Sequence, residues 1–230
     1  MFPVKRRHLD RYNVLVKFPE LSLPAFTERL AAARGDASLP AAVVERLKAH
    51  YDELARWAPK VDLIGPGAVV ELLDRHYAES LSALPWLPEV PCRLVDLGTG
   101  AGFPGFVLAC ARPDLEVWLV EPRERRRAFL ATAARRAALS VHLLGVTVAD
   151  RPLPELPDGI AVVTMRALRL EMGAWRALMK HLAPGAQILL WAGAEMPELP
   201  VEMRPGRELR LPGADHRVLR ELRYSAPVPA

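Results

Sequence analysis

Between residues 93 and 111 an apolar run, Arg93–Leu97, passes into Asp96-Leu97-Gly98-Thr99-Gly100-Ala101-Gly102-Phe103-Pro104-Gly105 and then into a second apolar stretch ending at Ala111. No other feature of the chain limits its fold as strongly. Glycines at this density let a backbone turn sharply and approach a ligand closely. A strand that runs through them into a helix is the opening unit of an α/β sheet. Pro104 suits the first position of that helix, where its missing N–H costs nothing.

The pattern downstream continues the alternation. Strands are expected at 115–120, 141–146, 160–164 and 187–191, with helices at 104–111, 123–138 and 170–182 between them. Segments 208–211 and 217–222, joined through Pro212 and Gly213, read as a closing antiparallel pair. This order predicts an α/β, Rossmann-like, mostly parallel sheet covered on both faces. Upstream, helices are expected at 25–34, at 40–58 with Ser38 as its cap, and at 67–84 before Pro85 and Pro88. Residues 1–90 therefore read as a helical N-terminal extension with a basic arm, and residues 91–230 as the cofactor-binding domain.

Ligands of such sheets bind beyond the carboxyl ends of the strands, at the point where strand order reverses. That places the site near Gly98–Gly105, Glu121, the loop after Val146, and Thr164–Arg166. Glu121 stands at the end of the second strand, where a carboxylate reaches both hydroxyls of a ribose. The spacing G-x-G-x-G-x-x-G differs from the dinucleotide fingerprint, and Asp96 just before it suits an ammonium group while opposing pyrophosphate. S-adenosyl-L-methionine (AdoMet) is favoured over NAD. No P-loop lysine follows the glycines, which excludes a P-loop NTPase.

Composition adds limits. A net charge of +4, 51% hydrophobic and 25% charged residues describe an ordinary globular chain and exclude a disordered or supercharged one. Cys92 and Cys110 are too few for a disulfide framework and have no metal-ligand spacing with histidines, so no metal is expected. The N-terminus is charged without a following apolar stretch, and no run reaches the roughly twenty apolar residues of a membrane span. A cytoplasmic monomer, with no membrane contact, is expected.

The glycine string, with Leu108-Ala109, Arg112-Pro113, Phe129-Leu130 and Arg166-Ala167 after it and Arg75-His76 and Glu79-Ser80 before it, resembles the RsmG (GidB) methyltransferases over roughly residues 44–222. The resemblance implies AdoMet-dependent methylation of guanine N7 in small-subunit (16S) ribosomal RNA. It implies cofactor contacts at Gly98, Phe103, Val148, Ala149 and Arg166, beside Asp96, Gly100, Gly102 and Glu121 read from the loop itself. The chain departs from the family pattern at three places: Thr147-Val148-Ala149 stands where Arg-Ala-Glu is usual, losing the Arg and the Glu, Asp62-Leu63-Ile64 where Asn-Leu-Thr is usual, and Ala192 where a Lys is usual.

Guanine N7 carries a free lone pair, so the enzyme would act through orientation and electrostatics, with Arg166, Arg75 and His76 as candidate catalytic groups. Phosphate contacts are expected from Arg75, from Arg123, Arg125 and Arg126 on the helix after Glu121, and from the arm carrying Lys5, Arg6, Arg7, Arg11 and Lys17. The resemblance implies ribosomal RNA or the small subunit as the partner. Two other readings remain: a diverged methyltransferase for a small molecule or protein, and a non-catalytic module that binds AdoMet or RNA.

Overall fold

A computed structural model describes residues 18–35, 39–149, 151–193, 195, 198–211 and 216–226. The basic arm, Ser38, Pro212 and Gly213 lie outside the described residues. Seven strands form one sheet: β1 (Arg93–Leu97), β2 (Glu116–Val120), β3 (His142–Leu144), β4 (Ile160–Arg166), β5 (Leu182–Gly193), β6 (Met203–Arg210) and β7 (Arg217–Tyr224). Their spatial order is β3-β2-β1-β4-β5-β7-β6. The first five run parallel, and β7 is antiparallel to both β5 and β6. The Rossmann-like sheet and its closing antiparallel pair are therefore as expected. The order reverses at β1, whose neighbours are β2 and β4.

Side chains alternate across the sheet and supply two cores. Leu94, Val162, Leu189 and Leu219 face one side, where α2 (Ala41–Trp57), α4 (Gly105–Ala111) and α5 (Glu124–Arg136) cover them with Leu47, Leu54, Phe106 and Phe129. Val95, Leu97, Val163, Ile188 and Leu222 face the other, against Trp175 and Leu178 of α6 (Met172–Met179). α1 (Leu23–Arg34) joins the first core through Phe26 and Leu30, so the N-terminal helices and the sheet share one apolar interior.

α1 begins two residues before its expected start. The Ser22 hydroxyl caps the N–H of Ala25 at 3.3 Å, and Pro24 fits inside the first turn. The expected helix at 67–84 is instead broken. A 3₁₀ turn (Pro66–Ala68), a π-helical segment (Leu72–Ala78), α3 (Glu79–Leu81) and a second 3₁₀ turn (Leu84–Trp86) follow one another. The wider π turn buries Leu72, Leu73 and Tyr77, while the hydroxyls of Ser80 and Ser82 donate to the main-chain carbonyls of His76 and Glu79. β5 is longer than expected and β3 shorter, the latter being a half-exposed edge.

Pro104 precedes α4 rather than opening it, and the Phe103–Pro104 peptide is cis. Gly105 is the true first residue, for a steric reason. A Cβ there would collide with Asp96 Cβ and lie 2.7 Å from both Asp96 Oδ2 and Leu119 Cδ2. Gly105→Ala is expected to destabilise the fold by about 1–3 kcal/mol, as overpacking does, measured by urea unfolding; an unchanged midpoint would contradict this packing.

Candidate functional site

The loop between β1 and α4 is held by its own backbone and by one buried acid. Gly98, Gly100 and Gly102 adopt φ of 70°, 57° and 94°, a region costly for any residue with a Cβ. The N–H groups of Gly98 and Thr99 both donate to Val120 O, at 2.9 and 3.1 Å, hooking the loop onto the end of β2. Asp96 is fully buried; its Oδ2 accepts from Gly105 N at 2.9 Å and its Oδ1 from the Thr164 hydroxyl at 2.7 Å. Burial pushes its pKa up to about 6, against the pull of Thr99, Thr164, Gly105 and the field of Arg166. Expected to meet an ammonium group, Asp96 is turned inward and shapes the loop.

Glu121 follows β2 and is nearly as buried. Its Oε1 accepts from Arg123 N at 2.9 Å, and its Oε2 faces Arg126 Nη1 at 3.6 Å. Arg126 also donates from Nε to Asp62 O at 2.8 Å and from Nη2 to Asp62 Oδ2 at 3.1 Å. One guanidinium thus spans Glu121 and the 60–62 loop and lies 3.8 Å from where a Gly100 Cβ would stand. Asp62, a departure from the family pattern, is the counter-charge that holds it.

The other arginines of this helix mostly serve the protein. Arg125 donates to Lys60 O, Arg127 to the carbonyls of Glu121 and Pro122, and Arg136 to Glu53, which is 1% exposed. Arg123 pairs with Asp62 at 3.4 Å yet leaves 63% of its side chain exposed. Of the three arginines here expected to meet phosphate, Arg125 and Arg126 are hydrogen-bonded to the 60–62 loop. Arg123, at the N-cap of α5, stays at the surface with, among the described residues, only the long side-chain contact to Asp62.

A second cluster stands at the end of β4. Arg166 donates from Nη2 to Arg75 O at 2.6 Å and to Glu79 Oε2 at 2.9 Å. Arg217, at the start of β7, closes on Glu79 Oε1 at 2.7 Å. The His76 ring lies 4.9 Å from that of Phe103. Burial, then the fields of Arg166, Arg75 and Arg217, drive its pKa down to about 3, so the imidazole is neutral. Val148 and Ala149 follow β3, half-buried, with Val148 against the α6-side core.

A cavity of about 720 Å³ opens beyond β4 and β5, lined by Met165, Leu168, Trp175, Trp191, Ala192 and His216 among others. Leu168 Cδ2 would stand 3.5 Å from a Cβ on Gly98, so the cavity borders the glycine loop. Trp191 is buried and donates to Glu79 O at 2.8 Å, which makes it a core residue and not an open stacking platform.

Sequence reasoning missed Arg217, the role of Glu79, and His50. His50 of α2 is fully buried, 2.6 Å from the Tyr77 hydroxyl through Nδ1 and 2.8 Å from Ala101 O through Nε2. The carbonyl only accepts, so Nε2 carries the proton and Tyr77 donates to Nδ1. Its signal was a position between Leu47 and Leu54 on the apolar stripe.

A glycine loop at the reversal point, an acid at the next strand end and the order β3-β2-β1-β4-β5-β7-β6 define the class of AdoMet-dependent methyltransferases. Solved structures agree on the fold. The Escherichia coli yhhF protein aligns with a TM-score of 0.51 at 15% identity over 64% of this chain and 86% of its own. A mutant of MtNAS aligns at 0.53 with 14% identity, over 89% of this chain and 76% of its own.

Residues 43–202 match the family described as rRNA small subunit methyltransferase G. The curated protein named Ribosomal RNA small subunit methyltransferase G from Anaeromyxobacter sp. (strain Fw109-5) is 37% identical over 76% of this chain and 82% of its own. Its namesake in Desulfotalea psychrophila is 40% identical over 54% of this chain, which spans 58% of that relative's length. The chain belongs to the rRNA small subunit methyltransferase G family.

The cofactor of this class is AdoMet, and the residues present fit it. Gly98 and Gly100 leave a backbone cradle, with only Arg126 and Gly98 O near a Cβ on Gly100, while the Cβ position of Gly102 is filled from the core by Phe106, His50 and Leu130. Arg166 Nη1 and His76 Nδ1 are buried with no hydrogen-bond partner among the described residues, and such atoms call for one.

The two neutral histidines have a consequence for stability. The pKa of His50 is lowered to about 4, mainly by burial, and that of His76 to about 3, both from 6.5. The unfolded chain therefore binds protons that the folded one refuses, and stability present above pH 6.5 is lost as pH falls toward 4. Asp96, raised to about 6, and Glu79, also raised by burial, act oppositely, while Glu221, held at about 2 against its burial by Arg207 and Gln187, adds to the effect of the histidines. The unfolding free energy is expected to fall between pH 7 and 5 by up to about 1.4 kcal/mol per pH unit per histidine, read as a drop in melting temperature. A flat profile would show that these rings are not held neutral.

Proposed function

We infer that this protein methylates N7 of a guanine in small-subunit ribosomal RNA. The observation that carries the N7 reading is the state of the site's titratable groups. His76, at about 3, is too weak a base to take a proton at neutral pH. Glu79 is bound by Arg166 and Arg217, and Asp96 by Gly105 and Thr164. Such a site suits an acceptor that brings its own lone pair and loses no proton before attack, as guanine N7 does.

Bound AdoMet supplies the electrophilic methyl group. The chain's part is to bind and to align. The backbone of Gly98, Gly100 and Gly102 cradles the cofactor, with Phe103, Val148 and Ala149 beside it. Glu121 receives the ribose hydroxyls on Oε2, the oxygen now turned to Arg126. Arg166 contacts the cofactor from the end of β4. Arg75 and Arg123, with the basic arm, meet RNA phosphate. In this reading residues 91–230 hold the cofactor and the preceding helical extension faces the RNA. The protein works as a cytoplasmic monomer, and N7 alkylation asks for no metal.

Purified protein and labelled AdoMet incubated with undermodified small subunits should label one guanine, which then gives the strand scission specific to N7-methylguanine. Label found only in protein or small molecules would replace this reading with a diverged acceptor, and cofactor binding without transfer would leave a binding module. Separately, Glu121→Ala should weaken AdoMet binding by about 1–3 kcal/mol, as lost charge-assisted hydrogen bonds do. Calorimetry checks this, and unchanged affinity would move the ribose elsewhere.

A further inference from the structure

Glu79 is an acid placed where an acid is expensive. Its residue is 2% exposed, and burial pushes its carboxyl above the ordinary range while Arg166 and Arg217 pull it back. Both oxygens are taken: Oε2 accepts from Arg166 Nη2 at 2.9 Å, and Oε1 from Arg217 Nε at 3.0 Å and Nη2 at 2.7 Å. Its main-chain carbonyl accepts from the Trp191 indole at 2.8 Å. One residue of α3 thus meets β4, β5 and β7. Ion pairs this buried are weak devices for stability, since apolar side chains of similar volume often serve as well. Some other demand explains the charge.

The demand is visible on Arg166. Its Nη2 donates to Arg75 O at 2.6 Å as well as to Glu79, which spends both of that nitrogen's protons and fixes the guanidinium plane. Nη1 is buried and has no hydrogen-bond partner among the described residues, and neither has His76 Nδ1. A buried guanidinium nitrogen left without a bond is costly, so a group outside the described chain is due there. The place is the reversal point of the sheet. Met165, one residue before Arg166, pairs in register with Leu97, one residue before Gly98. Arg217 stands behind, its side chain 29% exposed, touching Glu79 and not Arg166.

We propose that Glu79 is a positioning residue: anchored from behind by Arg217, it fixes Arg166 at the end of β4 so that Nη1, buried and without a bond among the described residues, is kept for the cofactor. This rests on the methyltransferase reading above. A plain staple between α3 and the sheet would hold the same atoms together, and the two roles differ in one measurable respect. A positioning residue acts through Arg166 and has nothing to contribute once Arg166 is gone.

The test is a double-mutant cycle on the full chain, read as calorimetric affinity for S-adenosylhomocysteine, with melting temperature beside it. Glu79→Gln keeps the shape and removes the charge; it should weaken binding about tenfold, within the coupling found for residues of one ion-pair network. In an Arg166→Met background the same change should cost less than about twofold. Arg217→Met, which leaves the Glu79–Arg166 contact in place, should weaken binding by a smaller factor and likewise lose its effect with Arg166→Met. It also carries the test if Glu79→Gln does not fold.

Losses that multiply across the cycle, or a lowered melting temperature with unchanged affinity, would reduce Glu79 to a staple and overturn the proposal. Wild-type transfer to undermodified subunits runs in parallel. If the wild type binds S-adenosylhomocysteine but methylates no ribosomal RNA, the substrate reading fails while the cycle still decides the role of Glu79. If it binds no S-adenosylhomocysteine, both fall.

Discussion

The carboxylate of Asp96 is the contact on which the rest of the site depends. It stands one residue before the end of β1, receives the first N–H of α4 and receives the Thr164 hydroxyl of β4, so one short side chain joins the three segments that meet where strand order reverses. Full burial of a carboxylate is affordable only because those bonds answer it. Its closeness to the loop also dictates sequence. Gly105 is glycine because Asp96 occupies the space a Cβ would need. Sharp left-handed turns at Gly98, Gly100 and Gly102 then carry the chain from strand to helix without moving either.

Around that centre, buried acids organise the arginines. Glu53 collects Arg56 and Arg136, Glu79 collects Arg166 and Arg217, and Glu221 collects Arg207 and Arg223. Each acid is almost inaccessible; the partners of Glu53 and Glu221 reach toward solvent, whereas those of Glu79 stay largely inside. The family departures belong to the same account. Asp62 supplies a charge that an asparagine lacks, and it holds Arg126 over Glu121 and Gly100. Ala192 lines the cavity beyond β5 in place of a lysine and leaves that wall apolar, with Arg169 and His216 as its nearby basic side chains. Thr147 is exposed after β3, and nothing in the structure explains it.

What the sequence made legible was local and periodic. Strands buried on both faces, such as Leu94-Val95 and Val162-Val163, read as continuous apolar runs, and the glycines marked the first crossover. Glu121 and Arg166 were found because each directly ends an apolar run. The π-helical segment was not legible, since its apolar residues keep a spacing that also fits an ordinary helix. Partnerships were not legible either. Arg217 lies far along the chain from Glu79, and no pattern in the sequence announces their contact. Arg125 and Arg126 look like a solvated basic face until the 60–62 loop is folded against them.

His50 shows why the helices before β1 matter to the loop after it. In one neutral tautomer the ring accepts from Tyr77 of the π-helical segment and donates to the carbonyl of Ala101 in the glycine loop. Its faces are filled as well, by Phe106 at 4.5 Å and Phe103 at 5.3 Å. A second proton on Nδ1 would require the Tyr77 hydroxyl to turn from donor to acceptor, and burial, which lowers the pKa of the ring to about 4, keeps that proton off. The chain Tyr77–His50–Ala101 is therefore a rigid connection in one protonation state. The same π-helical segment carries Arg75 and His76, which face Arg166 and Phe103. Any displacement of that segment by a bound partner would be felt at the glycine loop along two routes, through His50 and through Arg166. Loop geometry and the outer helices are thus one mechanical unit, although almost fifty residues of sequence separate His50 from the first glycine of the loop.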